Sequence, residues 1–347
     1  MRNLILTLLM LTTLTTTHST DRPNERPDTL GDGFTAERFE MGSDYSGEVH
    51  STLVRLRPFV ESERALLYIH GFNDYFFQSD MAHRFRDSGY NFYAVDLRRC
   101  GRSLTASQRP FEVRELSEYF EDIRAAVEAI HQDGAKDITL MGHSTGGLIA
   151  AYFVGTEQDT QINQVILNSP YLSQNVSWFL GKVAIPIVAA VGKCFPDIEV
   201  QNDTSTLYFE SLHNDAQGEW SYDTRLKMRY SPPITAGWLR AIHTAQMSVQ
   251  QGYNIETPIL LMYSDKSLIT DHWQAEVQQS DIVLNVRDIA KYGSKLSRNT
   301  THAQIENGMH DLILSAPEVR ENAYRAIFSW LDRQRRALQG GEISKIP

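Results

Sequence analysis

Short apolar runs alternate with amphipathic stretches along most of the chain. Ala65-Leu66-Leu67-Tyr68-Ile69 and Asn91-Phe92-Tyr93-Ala94-Val95 are continuous and of strand length, the pattern of strands covered on both faces. Gly47 to Pro58 alternates instead, with Val49, Leu53 and Leu56 among polar residues, and predicts an early strand of the same sheet. From Glu115 to His131, Leu116, Phe120, Ile123, Val127 and Ile130 recur every three or four residues and predict a helix, with Gly134 as its stop. A shorter helix is expected from Met81 to Ser88, closed by Gly89. Gln164 to Leu167, Pro258 to Tyr263 and Thr301 to Ile305 read as further strands. Ser315-Ala316-Pro317-Glu318 opens a closing helix whose apolar face is Val319, Ala323, Ile327, Trp330 and Leu331. Strands alternating with helices imply βαβ units, so the fold class is α/β with a mostly parallel, doubly wound sheet. In such sheets the active crevice lies at the carboxyl ends of the strands, where His70, Asp96 and Ser144 all fall.

The rhythm breaks between Tyr171 and Glu256. Trp178-Phe179-Leu180 and Val183 to Val191 are apolar, with Pro186 inside them, and a polar section, Pro232-Pro233 and a helix-like run from Ala236 to Gln250 follow. This reads as an insertion, 171–256, laid over the crevice and dividing a core into 35–170 and 257–338, with a tail at 339–347. Residues 21–34, rich in Pro, Asp and Gly, read as a linker. Residues 1–20 have Arg2 at the start, an apolar centre from Leu4 to Leu14 and a polar Thr, His and Ser exit. That is the layout of a signal peptide, and it predicts export, periplasmic or secreted, with a cytoplasmic or membrane-tethered protein as the alternative.

Composition narrows the classes further. Of 347 residues, 41% are hydrophobic and 22% charged, ordinary for a globular protein, and the formal net charge of −10 argues against a nucleic-acid partner. The eleven histidines and two cysteines show no metal-ligand spacing. Whether Cys100 and Cys194 pair depends on how close the fold brings them, and oligomeric state is not legible.

The chemistry is concentrated in Ile138 to Ala150, I-T-L-M-G-H-S-T-G-G-L-I-A. A strand runs through Gly142-His143-Ser144-Thr145-Gly146 into a helix, which is G-x-S-x-G in a strand–turn–helix context. The tight turn requires glycines two residues either side of Ser144 and raises its hydroxyl at a helix N-terminus, where backbone N–H groups favour negative charge. A serine needs a base, and His310, in the turn Asn307-Gly308-Met309-His310 after a strand, is the strongest of the histidines. The N–H groups of Thr145 and Phe72 are the expected oxyanion donors.

His70-Gly71-Phe72, Asp96-Leu97-Arg98 with Gly101 and Ser103, Gly142 to Gly147 and Gly308-Met309-His310 occur in the order of the α/β-hydrolase fold. The chain resembles its branch of monoacylglycerol lipases, lysophospholipases and serine aminopeptidase-like hydrolases. The resemblance implies a Ser–Asp–His triad, a cap before the seventh strand and no cofactor. It also implies hydrolysis of lipid-like acyl esters, with a transient contact between the cap and a lipid surface. The alternatives are an aminopeptidase or amidase, whose substrate amine Glu210, Asp215 or Glu219 would hold, and a non-catalytic binding protein. One departure is Arg99, where the family usually has glycine. Another is the triad acid, whose family position is occupied by Ser267. Asp281 opens Asp281-Ile-Val-Leu-Asn-Val286, which resembles the family segment that follows the acid, so Lys266 to Ser280 is read as an insertion and Asp281 as the acid, with Asp265 as the rival. Trp178, Phe179 and Leu180 are expected to border the acyl site.

Overall fold

The computed structural model describes residues 24–343 apart from 59, 158, 178, 202 and 203. The 1–20 segment read as an export signal therefore lies outside the described residues, as does Trp178. The strands are β1 (Glu25–Pro27), β2 (Thr35–Asp44), β3 (Gly47–Leu56), β4 (Arg64–Ile69), β5 (Asn91–Asp96), β6 (Asp137–His143), β7 (Gln164–Asn168), β8 (Glu199–Gln201), β9 (Ile234–Thr235), β10 (Ile259–Ser264) and β11 (Thr300–Ile305). The main sheet has nine strands in the order β1-β2-β3-β5-β4-β6-β7-β10-β11. The pairs from β5 through β11 are parallel, and those joining β1, β2, β3 and β5 are antiparallel.

Helices α1 (Ser79–Asp87), α2 (Tyr119–Gln132), α3 (Thr145–Thr156), α4 (Ile185–Gly192), α5 (Leu207–Leu212), α6 (Ala236–Gln251), α7 (Val286–Gly293) and α8 (Pro317–Ile343) connect the strands. The apolar runs are continuous because both sheet faces are covered. In β4, Ala65, Leu67 and Ile69 enter the core beneath α2, α3 and α6, while Leu66 and Tyr68 enter the one beneath α1 and α8. In β10 the same division sends Ile259 and Leu261 one way and Leu260 and Met262 the other.

Three boundaries differ from the sequence reading. Residues 21–34 are not simply a linker, because Glu25–Pro27 pairs with β2 and Asp28 takes a two-point ion pair from Arg102 at 2.7 and 2.9 Å. The insertion 171–256 divides in two. Trp238, Ala241, Ile242, Ala245 and Val249 of α6 join the core against α3, so α6 belongs to the core as well as to the crevice wall, which its first turn borders through Trp238 and Leu239. The closing helix runs on to Ile343, past the 338 boundary. Cys100 is buried and Cys194 exposed, and both are free thiols. Arg99 explains how the family glycine is dispensed with. It adopts a left-handed φ of 63°, and its fully buried guanidinium holds Asp44 and Glu118 at 2.5 Å each, offsetting the strain and pinning β2 to the start of α2.

Candidate active site

Ser144 stands between β6 and α3 with φ 52° and ψ −117°, a strained conformation that the surrounding packing holds in place. Its N–H donates to the Asn168 carbonyl at 3.0 Å, and its carbonyl accepts from Tyr171 and Leu148. The flanking glycines are steric necessities. A Cβ on Gly142 would lie 2.3 Å from the Gly146 carbonyl oxygen, and one on Gly146 would lie 2.4 Å from the carbonyls of Ile69 and His70.

The loop after β11 brings His310, 3% exposed, to the serine, with Nε2 2.9 Å from Ser144 Oγ. Its Nδ1 lies 3.0 Å from Oδ2 of Asp281, which is fully buried. The second Asp281 oxygen accepts the N–H groups of Val283 and Leu284 at 2.9 and 2.8 Å, so the carboxylate is held on both sides. Such a partner orients the imidazole with Nε2 free to take the serine proton. Asp265 does not reach His310; its carboxylate accepts the Asn307 N–H at 2.7 Å. His143 is buried behind the serine, and its imidazole is pushed down to about 3 by burial and by His310, which keeps it neutral. Asp311, the neighbour of His310, turns away to accept from Asn168 at 2.7 Å, and burial raises its carboxyl.

The N–H groups of Phe72 and Thr145 have no protein acceptor among the described residues. The Phe72 ring packs on Trp238 and Phe111 at 4.8 and 5.3 Å. His70, by contrast, is structural: its Nε2 accepts the Leu97 N–H at 3.2 Å and ties this loop to the one after β5. Ser144 and His310 open on a cavity of about 360 Å³ whose wall includes Tyr171, Leu207, Met228, Trp238, Leu239 and Val283. Phe179 and Leu180 do not line it. They are 61% and 47% exposed, at the start of the π-helical stretch Leu180–Ala184. The cavity residues from α5, α6 and the chain between α5 and β9 carry no sequence signal that separates them from core residues.

Fold and site together define a serine hydrolase of the α/β-hydrolase fold. The family model described as serine aminopeptidase, S33, matches residues 60–315, and the chain belongs to that family. It is similar to "Phospholipase YtpA" of Bacillus subtilis, 22% identical over 273 residues covering 77% of this chain and 95% of the relative. Among solved structures it is similar to a soluble variant of monoglyceride lipase from Saccharomyces cerevisiae (TM-score 0.64, 15% identity, covering 85% of this chain and 94% of the other). It is also similar to a monoacylglycerol lipase from Paleococcus ferrophilus (TM-score 0.57, 17% identity, covering 86% and 99%).

Proposed function

We propose that Ser144, His310 and Asp281 form the catalytic triad of a carboxylic-ester hydrolase acting on lipid-like acyl esters of the monoacylglycerol or lysophospholipid type. The observation that carries this reading is the Asp281–His310–Ser144 relay, with hydrogen bonds of 3.0 and 2.9 Å, opening on a cavity that mixes polar groups with apolar side chains such as Leu207, Met228, Leu239 and Val283. His310 Nε2 takes the Ser144 proton as Oγ attacks the acyl carbonyl. The Phe72 and Thr145 N–H groups receive the oxyanion. His310 then protonates the leaving alcohol, and water deprotonated by His310 releases the acid from the acyl-serine. No step calls for a cofactor.

The charge on the cavity wall favours an ester over an aminoacyl substrate. Among the described residues its one carboxylate is Asp74, already paired with Lys227 at 2.9 Å. Of the acidic residues considered for an amine, Glu210 is bonded to Thr206, Asp215 is exposed beside His213, and Glu219 is paired with Arg320; none lines the cavity. The names of the phospholipase and monoglyceride lipase relatives support the same choice.

The segment before α6 is read as a cap that touches lipid. Val176, Phe179, Leu180, Ile187 and Val191 are between 41% and 61% exposed, and Val176 also borders the cavity. Export rests on the apolar Leu4 to Leu14 stretch and is checked by the mass of the mature chain. The deciding assay sets aryl esters of graded acyl length, a monoacylglycerol and a lysophospholipid beside aminoacyl amides, with fluorophosphonate labelling of wild type and Ser144→Ala. Ester turnover, with labelling lost in Ser144→Ala, is expected. Folded wild-type protein that is inert and unlabelled, or active only on aminoacyl amides, overturns the reading.

A further inference from the structure

The three residues that follow Phe72 all hold one stretch of the segment over the crevice. Asn73 makes a two-way bond with the main chain of Met228: its Nδ2 donates to the Met228 carbonyl at 2.8 Å, and its Oδ1 accepts the Met228 N–H at 2.9 Å. Asp74, 1% exposed, takes the ammonium of Lys227, 4% exposed, at 2.9 Å. The Tyr75 hydroxyl accepts the Asp223 N–H at 2.9 Å. The Lys227 ammonium is enclosed by the rings of Tyr208, Phe77 and Tyr222 at 5.3 to 5.7 Å. Asn73 itself sits at a left-handed φ of 49°, which asparagine tolerates, and the loop that carries the Phe72 N–H draws its support from contacts on either side. The core supplies part of that support, through the Phe72 ring on Trp238. The hydrogen bonds, however, come from 223–228, between α5 and β9, and Met228 from the same stretch lines the cavity.

We propose that Asn73 is a positioning residue: by clamping Met228 it makes the aim of the Phe72 N–H, and hence the oxyanion hole, depend on the docking of the 223–228 stretch. The inference rests on the reading of Phe72 as an oxyanion donor. A donor must lie at a fixed distance from where the oxyanion will be, not from the ground-state carbonyl, so loosening it lowers the rate with little effect on substrate binding. Clamp and cavity wall are one stretch of chain, which links what fills the cavity to the geometry that stabilises the tetrahedral intermediate.

The test is Asn73→Gly, which keeps the left-handed backbone accessible and removes the side-chain amide, with some added backbone freedom. On a short aryl ester the variant is expected to lose about 10- to 100-fold in kcat, somewhat less than removing a donor outright, with KM within about threefold. A trifluoromethyl ketone, which adds the Ser144 hydroxyl to give a tetrahedral alkoxide, should lose affinity by the same factor as kcat/KM, while a fatty-acid product keeps its affinity. Asn73→Asp, which keeps the acceptor for the Met228 N–H but sets a carboxylate oxygen against the Met228 carbonyl, should lose at least as much kcat as Asn73→Gly. A variant of lowered melting temperature but unchanged kcat and ketone affinity would show a merely structural clamp and overturn the inference. Failure of the underlying reading is separately visible, as wild-type protein that fluorophosphonate does not label.

Discussion

Asp281 lies beside Ser267 in an isolated parallel bridge: the Asp281 N–H donates to the Lys266 carbonyl at 3.0 Å, and its carbonyl accepts the Leu268 N–H at 2.9 Å. The inserted loop between them leaves the end of β10 and returns to the same place, so a carboxylate reaches the spot next to a position whose own side chain cannot supply one. Ser267 Oγ is left to bind the Leu284 carbonyl and the Val286 N–H, at 2.8 and 2.9 Å, and steadies the segment that follows Asp281. Asp281→Asn is expected to lower kcat by about 10⁴-fold with the fold intact, through the wrong imidazole tautomer. Asp265→Asn, at the end of β10 where the carboxylate accepts the Asn307 N–H, should cost only about 1 kcal/mol of stability through a weakened hydrogen bond and leave turnover near normal. Kinetics of the two purified variants, with circular dichroism as the folding control, separate the roles; the opposite ranking would assign the acid to Asp265.

The outward turn of Phe179 changes what its replacement should do. Phe179→Asp places a charge on an exposed patch, not in the cavity, so KM for a soluble butyrate ester should stay within about twofold. Co-sedimentation with phospholipid vesicles, and turnover of a vesicle-borne ester, should both fall. A selective rise in KM for long-chain esters presented as monomers would instead return Phe179 to the acyl site.

His143 predicts an acid limb of stability. Its unfolded imidazole titrates near the ordinary histidine value of about 6.5, while burial and His310 push the folded one down to about 3. Between those values the unfolded chain binds a proton that the folded protein excludes. Stability therefore rises with pH across this window and is lost on acidification, by up to about 1.4 kcal/mol per pH unit. Urea midpoints of wild type and His143→Gln from pH 6.5 to 4.5 should converge as the pH falls. Parallel curves would mean that this imidazole is not held neutral.

Two glycines offer a steric contrast. In Gly146→Ala the new methyl meets two main-chain carbonyls that cannot rotate away, and a destabilisation above about 4 kcal/mol is expected. At Gly181 a Cβ would meet Val176 at an ordinary 3.6 Å, and Gly181→Ala in its helical stretch should gain up to about 1 kcal/mol. Melting temperatures of both variants check the pair, and equal shifts would contradict the packing described for the turn after Ser144.

The sequence by itself determined the local features. Continuous apolar runs mark strands covered on both faces, glycines around Ser144 are required by a tight turn, and a late turn carries His310; each is set by residues within a few positions of one another. Asp281 stood out for a similar reason, through the segment after it, and the structure places its carboxylate 3.0 Å from His310 Nδ1. Tertiary structure decided what depends on distant partners. Glu25–Pro27 becomes a strand only because β2 offers it an edge. Arg99 tolerates a left-handed backbone only because Asp44 and Glu118 surround its guanidinium. The direction Phe179 faces, the entry of α6 into the core and the hold of Asn73 on Met228 are properties of packing. An apolar residue reads the same in a chain whether it is destined for core, cavity wall or surface. Only the folded neighbours distinguish the three.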